Sequence, residues 1–235
     1  MDIGKSFSYM MEDPNWIMKI VIGGIVSLIP IVNFAAWGYM LTVMRNVAEG
    51  HPTPLPEWGE FGAHFMKGLY AFVGILVYFL PVIIISCCVG ILGAVAGGAA
   101  GSTSGSSSDA GGTVASIIGI VSLCLNCVVA LYSLVAGVTL YAPLTRFAMS
   151  NNQLSIFWDI RGNLDLITKN VGNYVIALLI AIVASFIAGF GIILCVIGVF
   201  FTSFWALLVA ANVFGQFWRN TQGAAPVAPA PATLS

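Results

Sequence analysis

Residues Asn170–Trp218 read NVGNYVIALLIAIVASFIAGFGIILCVIGVFFTSFWALLVAANVFGQFW, 49 residues without one Asp, Glu, Lys, Arg or His. As a single helix this run would extend about 74 Å at ~1.5 Å per residue, more than twice the ~30 Å hydrocarbon core of a bilayer. Lys169 and Arg219 close its two ends, and cations flanking one run prefer the same side of a membrane. The run therefore reads as a helical hairpin spanning about 170–219, with its reversal at Gly189-Phe190-Gly191 or near Gly198. Small residues recur at every fourth position along both arms: Ala177, Ala181, Ser185 and Gly189, then Gly198, Thr202, Ala206 and Ala210. That spacing lets two helices approach closely in lipid, where packing replaces the hydrophobic drive.

Three further runs, Ile20–Met44, Gly68–Ser108 and Ala110–Thr145, are equally free of charge. The chain is 59% hydrophobic and only 7% charged, where an average soluble domain carries about 25% charged residues. A polytopic membrane protein follows. The net charge of −1 argues against nucleic acid as a partner and against a general polybasic attraction to anionic lipid. Lys67 and Arg146 bracket a second hairpin, about 68–145, whose Gly/Ser-rich loop Gly97–Gly112 contains Asp109 but no Lys or Arg. The positive-inside rule then puts that loop outside, and the basic islands and C-terminus in the cytoplasm of a cell membrane.

The first run, within a segment of about 16–47, allows two readings. It either crosses once or folds back at Pro30–Asn33 as a re-entrant hairpin with arms too short to cross fully. The hairpin is preferred, because it leaves Lys5, Lys19 and Arg45 on the side of the other cations. Asp2, Glu12 and Asp13 occupy the stretch where a signal peptide would carry a basic and then an apolar region, so no cleavable leader is expected.

An amphipathic stretch precedes each hairpin. Ile3, Phe7, Met10 and Met11 share one face, and Asp13-Pro14 supplies an N-cap and first-turn proline for the next helix. Trp58, Phe61, Phe65 and Leu69 form the second apolar stripe, with Glu57, Glu60, His64 and Lys67 opposite. Phe157, Ile160, Leu164 and Ile167 form the third, opposed by Asp159, Asn163 and Lys169. Stretches of this kind lie in the interface plane with aromatic rings at headgroup depth. The expected fold is an all-α membrane protein of three units, each an interfacial helix plus a membrane hairpin, with five to six membrane segments in all. Residues 1–222 form one membrane domain, and the Ala/Pro-rich 223–235 reads as a disordered tail.

Phe34-Ala35-Ala36-Trp37-Gly38-Tyr39, Arg45-Asn46-Val47 with Gly50, and Leu55-Pro56-Glu57-Trp58 running to Lys67-Gly68 resemble the prokaryotic membrane family catalogued as domain of unknown function 4013. Asp2-Ile3-Gly4-Lys5 with Glu12-Asp13-Pro14-Asn15-Trp16 is similar to that family's start, and Gly215-Gln216-Phe217 to its end. The resemblance implies a multi-helix integral membrane protein of bacteria or archaea, and no activity.

The residues with chemical potential have bland readings beside the sharp ones. Cys87-Cys88 and Cys124-x-x-Cys127 fall at similar depth on antiparallel helices and could hold zinc or an iron–sulfur cluster. Adjacent cysteines diverge by about 100° on a helix, however, and buried cysteine commonly behaves as a small hydrophobe, so packing is preferred. Glu60 and His64 could share a metal, but two ligands are too few, and a solvated polar face explains the stripe. Asn33, Asn126 and Asn212 are amides in uncharged spans that read first as interhelical hydrogen-bond partners. No zinc-protease, nucleophile-elbow or phosphate-loop motif occurs, so neither catalysis nor a cofactor or metal is expected. The preferred function is a non-enzymatic membrane component. It would contact lipid, a second copy or a partner subunit through Glu57, Trp58, Glu60, His64, Lys67, Phe157, Trp158 and Arg161. The alternative is a transporter or channel for a neutral or lipidic solute, with Asn33, Asn126 and Asn212 lining its path.

Overall fold

A computed structural model describes residues 1–101 and 109–223. The centre of the predicted Gly/Ser loop and nearly all of the predicted tail lie outside those residues. Ten α-helices are described: α1 (Ile3–Ser8), α2 (Trp16–Leu28), α3 (Asn33–Glu49), α4 (Phe61–Tyr78), α5 (Leu80–Gly101), α6 (Asp109–Thr139), α7 (Tyr141–Met149), α8 (Ile160–Lys169), α9 (Val171–Gly189) and α10 (Cys195–Thr221). Among the described residues four helical stretches are long and apolar enough to cross a membrane: Trp58–Tyr78, Ser116–Met149, Val171–Ile193 and Ile197–Thr221. The chain divides into two compact units, Ile75–Leu140 and the residues on either side of it.

In the larger unit α10 is the central post. α9 returns along it after a short 3-10 turn over Phe190–Leu194, at the place the glycines suggest. Thr202 donates through Oγ1 to the Ala188 carbonyl at 2.8 Å and ties that turn. The α9 ridge differs from its predicted register. Tyr174, Ala177, Ala181, Ala184 and Ala188 are buried, whereas Ser185 and Gly189 face outward. A strict four-residue spacing gains about 40° per step on a helix of 3.6 residues per turn, so the contact stripe must alternate threes and fours.

α2 and α3 form the first hairpin and reverse over residues 29–32, as Pro30 requires. At 13 and 17 residues they span about 20 and 26 Å. α2 packs on α10 through Gly23 and Gly24, where any Cβ would strike the rings of Phe204 and Phe201. α3 meets α4 backbone to backbone: a Cβ on Gly38 would strike the His64 carbonyl, and one on Gly68 the Phe34 carbonyl. Where α7 and α9 meet α10 the core is aromatic. Tyr141 stacks on Phe214 at 4.3 Å, and Tyr174 meets Phe214 and Phe217 edge-on.

One expectation changes here. Phe61 to Leu69 is not a separate interfacial helix, because α4 runs unbroken from Phe61 into the membrane-length stretch Trp58–Tyr78. That candidate span therefore contains Glu60, His64 and Lys67, although the uncharged run begins only at Gly68.

The smaller unit is a long hairpin of α5 and α6 joined to the last turn of α4. Pro81 sits in the first turn of α5, where its missing N–H is tolerated. Tyr78 and Thr139 hydroxyls bond at 2.6 Å, and the Tyr132 hydroxyl donates to the Tyr78 carbonyl at 2.9 Å, fixing the base of the hairpin. Apolar side chains such as Ile91, Ile120, Leu123, Leu131 and Leu134 project outward from it.

Candidate functional site

The Leu55-Pro56-Glu57 segment leads into a 3-10 turn that opens at Trp58, and it folds against α2, α3 and α4. Its centre is Lys19, whose side chain is only 5% exposed. The Lys19 ammonium donates to Asp13 Oδ2 at 2.7 Å, Glu57 Oε1 at 2.7 Å and the Leu55 carbonyl at 3.1 Å. All three of its protons are thus placed. Asp13 is buried too, and its other oxygen accepts from the Asn15 N–H at 2.8 Å. Trp58 donates its indole N–H to the Lys19 carbonyl at 3.1 Å and stacks on Tyr39 at 4.4 Å. The Tyr39 hydroxyl donates to the Pro56 carbonyl. His64 is 3% exposed, within reach of the Glu57 carbonyl and the Thr42 hydroxyl.

This constellation is a clamp with every polar group engaged, and it relocates several predicted contact residues. Trp58 and His64 face inward, Glu57 and Glu60 remain exposed, and Lys67 is half-buried. Asp13, Lys19 and Tyr39 are partners that periodicity alone does not single out. A signal for them does exist: Lys19 sits at the very edge of an uncharged run, six residues after an Asp-Pro pair.

α8 forms a second surface. Asp159 caps it by accepting from the Gly162 N–H at 3.0 Å. Arg146 of α7 donates to Asp159 Oδ2 and to Asn163 Oδ1, both at 2.7 Å. The Arg146 guanidinium, helped by the Gly162 N–H, holds the Asp159 carboxyl below the ordinary carboxylate range. Asn163 is buried and Phe157 packs inward on Phe147. The apolar side chains point the other way: Trp158 is 66% exposed, Ile160 70% and Leu164 52%. At 100° per residue Ile160 and Leu164 fall on one outward strip of α8, and Arg161, Asp165 and Lys169 on the neighbouring one.

A third feature lies where α10 ends. A cavity of about 200 Å³ is lined by residues of α1, the chain after α3 and the last turns of α10. Gln216 braces it. Its carbonyl accepts from the Asp2 N–H at 2.7 Å, and its amide donates to Asn212 Oδ1 at 2.6 Å and Ser6 Oγ at 3.1 Å.

The three asparagines have different surroundings. Asn212 is buried at this cavity, and Asn33 opens α3. Val47 lies beside Gly215, so the fourteen residues from Asn33 to Val47 place Asn33 about 21 Å from that level along α3. Asn126, in the smaller unit, is exposed and donates to its own helix at the Ser122 carbonyl. Cys87, Cys88, Cys124 and Cys127 are free thiols on outward faces, neither bridged nor packed between helices. Among the described residues no three His, Cys, Asp or Glu side chains converge as metal ligands.

No curated protein and no solved structure matches the chain. The profile of the family described as "Protein of unknown function (DUF4013)" matches residues 22–197. That stretch covers well over half of the 235 residues and includes the α3 and Leu55–Trp58 motifs, and the chain belongs to this family.

Proposed function

We propose that this chain is a non-enzymatic integral component of the cell membrane that engages lipid at headgroup depth, with its basic islands and C-terminus cytoplasmic. The observation that carries the reading is the inverted polarity of α8. Its buried side holds Asn163, bonded to Arg146, while Trp158, Ile160 and Leu164 point out of the protein. In water that arrangement would expose apolar area with no return. At a bilayer surface the same strip sinks among acyl chains, and Arg161 and Lys169 remain at the phosphates.

Nitroxide labels at Ile160, Leu164, Arg161 and Asp165, each on a single cysteine in a cysteine-free background, test this in lipid nanodiscs. Labels at Ile160 and Leu164 should collide more with oxygen than with a nickel chelate, and those at Arg161 and Asp165 the reverse. Four labels all favouring the chelate would remove the reading.

A further inference from the structure

We propose that the cavity at the C-terminal end of α10 binds a compact zwitterion, an oxyanion joined to a primary ammonium, the chemistry carried by an ethanolamine phospholipid headgroup. The inference deepens the lipid reading above and relies on it only to bring headgroups to this depth. Lys5, Glu12, His51, Asn212, Gln216 and Arg219 are among the lining residues. About 200 Å³ is below the ~300–1,000 Å³ of sites that enclose drug-sized ligands, so the cavity suits a headgroup and not a whole lipid.

Three observations set the chemistry. Asn212 is 3% exposed and its Oδ1 is taken by Gln216, but its amide Nδ2 has no hydrogen-bond partner among the described residues. No side-chain nitrogen or oxygen sealed from solvent lacks a partner among the described residues, so this donor keeps access to solvent at the wall, where an acceptor can reach it. Lys5 and Glu12 carry opposite charges on the same wall, yet neither forms an ion pair among the described residues. A ligand bearing both signs satisfies both, through charge-assisted hydrogen bonds. Finally, Asp2 and Glu12, together with the partial negative charge at the C-terminal ends of α3 and α10, offset Lys5, Arg219 and the Met1 ammonium at this cavity. A plain anion gains little in such a field, and a plain cation leaves Lys5 and the Asn212 amide unanswered. Asn212, Lys5 and Arg219 take the oxyanion, and Glu12 takes the ammonium.

The test uses the full chain in phosphatidylcholine nanodiscs doped equally with phosphatidylethanolamine and phosphatidylglycerol, with retained lipid read by native mass spectrometry. Phosphatidylcholine is the internal control, since its quaternary ammonium has no N–H to donate. Phosphatidylethanolamine should be retained about tenfold over either competitor, and Lys5→Met and Glu12→Gln should each abolish the preference while eluting as wild type. Should one variant fail to fold, the other and the wild-type lipid competition still decide. Free glycerophosphoethanolamine is then titrated in. Displacement at concentrations similar to the lipid supports the zwitterion with a soluble source, and failure to displace supports the bilayer source. Equal retention of the three lipids, or a preference that survives both variants, overturns the proposal. The α8 labels separate the two readings: oxygen-favouring labels without headgroup preference sink only the cavity, and headgroup preference with chelate-favouring labels sinks only the α8 surface.

Discussion

Replacing Lys19 by methionine removes one charge from the most buried ion pair among the described residues and leaves the other. Asp13 would keep a single donor, the Asn15 N–H, around a carboxylate whose side chain is 8% exposed. At 2.7 Å and an effective dielectric constant of ~20, the gross attraction of the Lys19–Asp13 pair is about 6 kcal/mol. Desolvation of both groups offsets most of that, so the intact pair adds little net stability. The asymmetry is what counts: stripping one partner from a buried pair costs about 3–5 kcal/mol. In a chain of this size that is a fall in Tm of roughly 6–20 °C. Glu57 is the contrast, because its side chain is 76% exposed and Glu57→Gln should cost less than about 1 kcal/mol. The double variant Lys19→Met with Asp13→Asn restores neutrality and keeps an acceptor for Asn15, so it should recover most of the loss. Thermal unfolding in mild detergent, followed by circular dichroism and by elution of the folded fraction, measures all four proteins. The reasoning fails if Lys19→Met lies within about 1 kcal/mol of wild type, or if the double variant is as damaged as Lys19→Met alone.

Two glycine substitutions should part company under the same assay. Gly38→Ala drives a methyl into the His64 carbonyl and should cost at least ~3 kcal/mol, whereas Gly90→Ala meets nothing within 4 Å and should be neutral or stabilise by up to ~1 kcal/mol. The α8 anchor is pH-dependent with a definite sign. Since Asp159 is held below its ordinary value, its contribution is complete above about pH 4–5 and fades as pH falls through the depressed value, so hydrogen exchange of α8 amides should accelerate only in acid. Asp159→Asn should remove that acid dependence. Thr202→Val deletes the bond to the Ala188 carbonyl and should cost about 1 kcal/mol, read as a lowered Tm.

Reversals were the legible part of this fold, because Pro30 and the Gly189–Gly191 pair act locally on the backbone whatever surrounds them. The start of α4 was not legible. Hydropathy begins the second run at Gly68, after the last charge, but α4 begins at Phe61, seven residues earlier, directly after the 3-10 turn Trp58–Glu60. His64 looks like a member of a solvated stripe only until Tyr39 and Trp58 are seen to enclose it. Tertiary partners separated by tens of residues leave no mark in a 3.6-residue period. The same limit applies to Lys19, Asp13 and Glu57: the family resemblance includes Asp13 and Glu57 but not Lys19, and it does not connect them. On α8 the predicted stripe divides: Phe157 packs inward on Phe147 whereas Ile160 and Leu164 point out of the protein, a direction that follows from the Arg146 contacts and leaves no mark in the period.

Polar groups in the two units answer to different solvents, and that difference narrows where a function can reside. In the smaller unit Asn126 returns its hydrogen bond to its own helix, the Thr139 hydroxyl bonds its own helix and the Tyr78 hydroxyl, and large aliphatic side chains face out around them. Helices that satisfy themselves in this way ask nothing of their surroundings except hydrocarbon. In the larger unit the charges are gathered and mostly engaged, in the Lys19 clamp and the Arg146 anchor. What stays unanswered there is the apolar strip of α8, together with the Asn212 amide, Lys5 and Glu12 at the end of α10. Groups without a protein partner in an otherwise satisfied fold are where an external ligand gains the most, because its contacts displace water and break no bond of the fold.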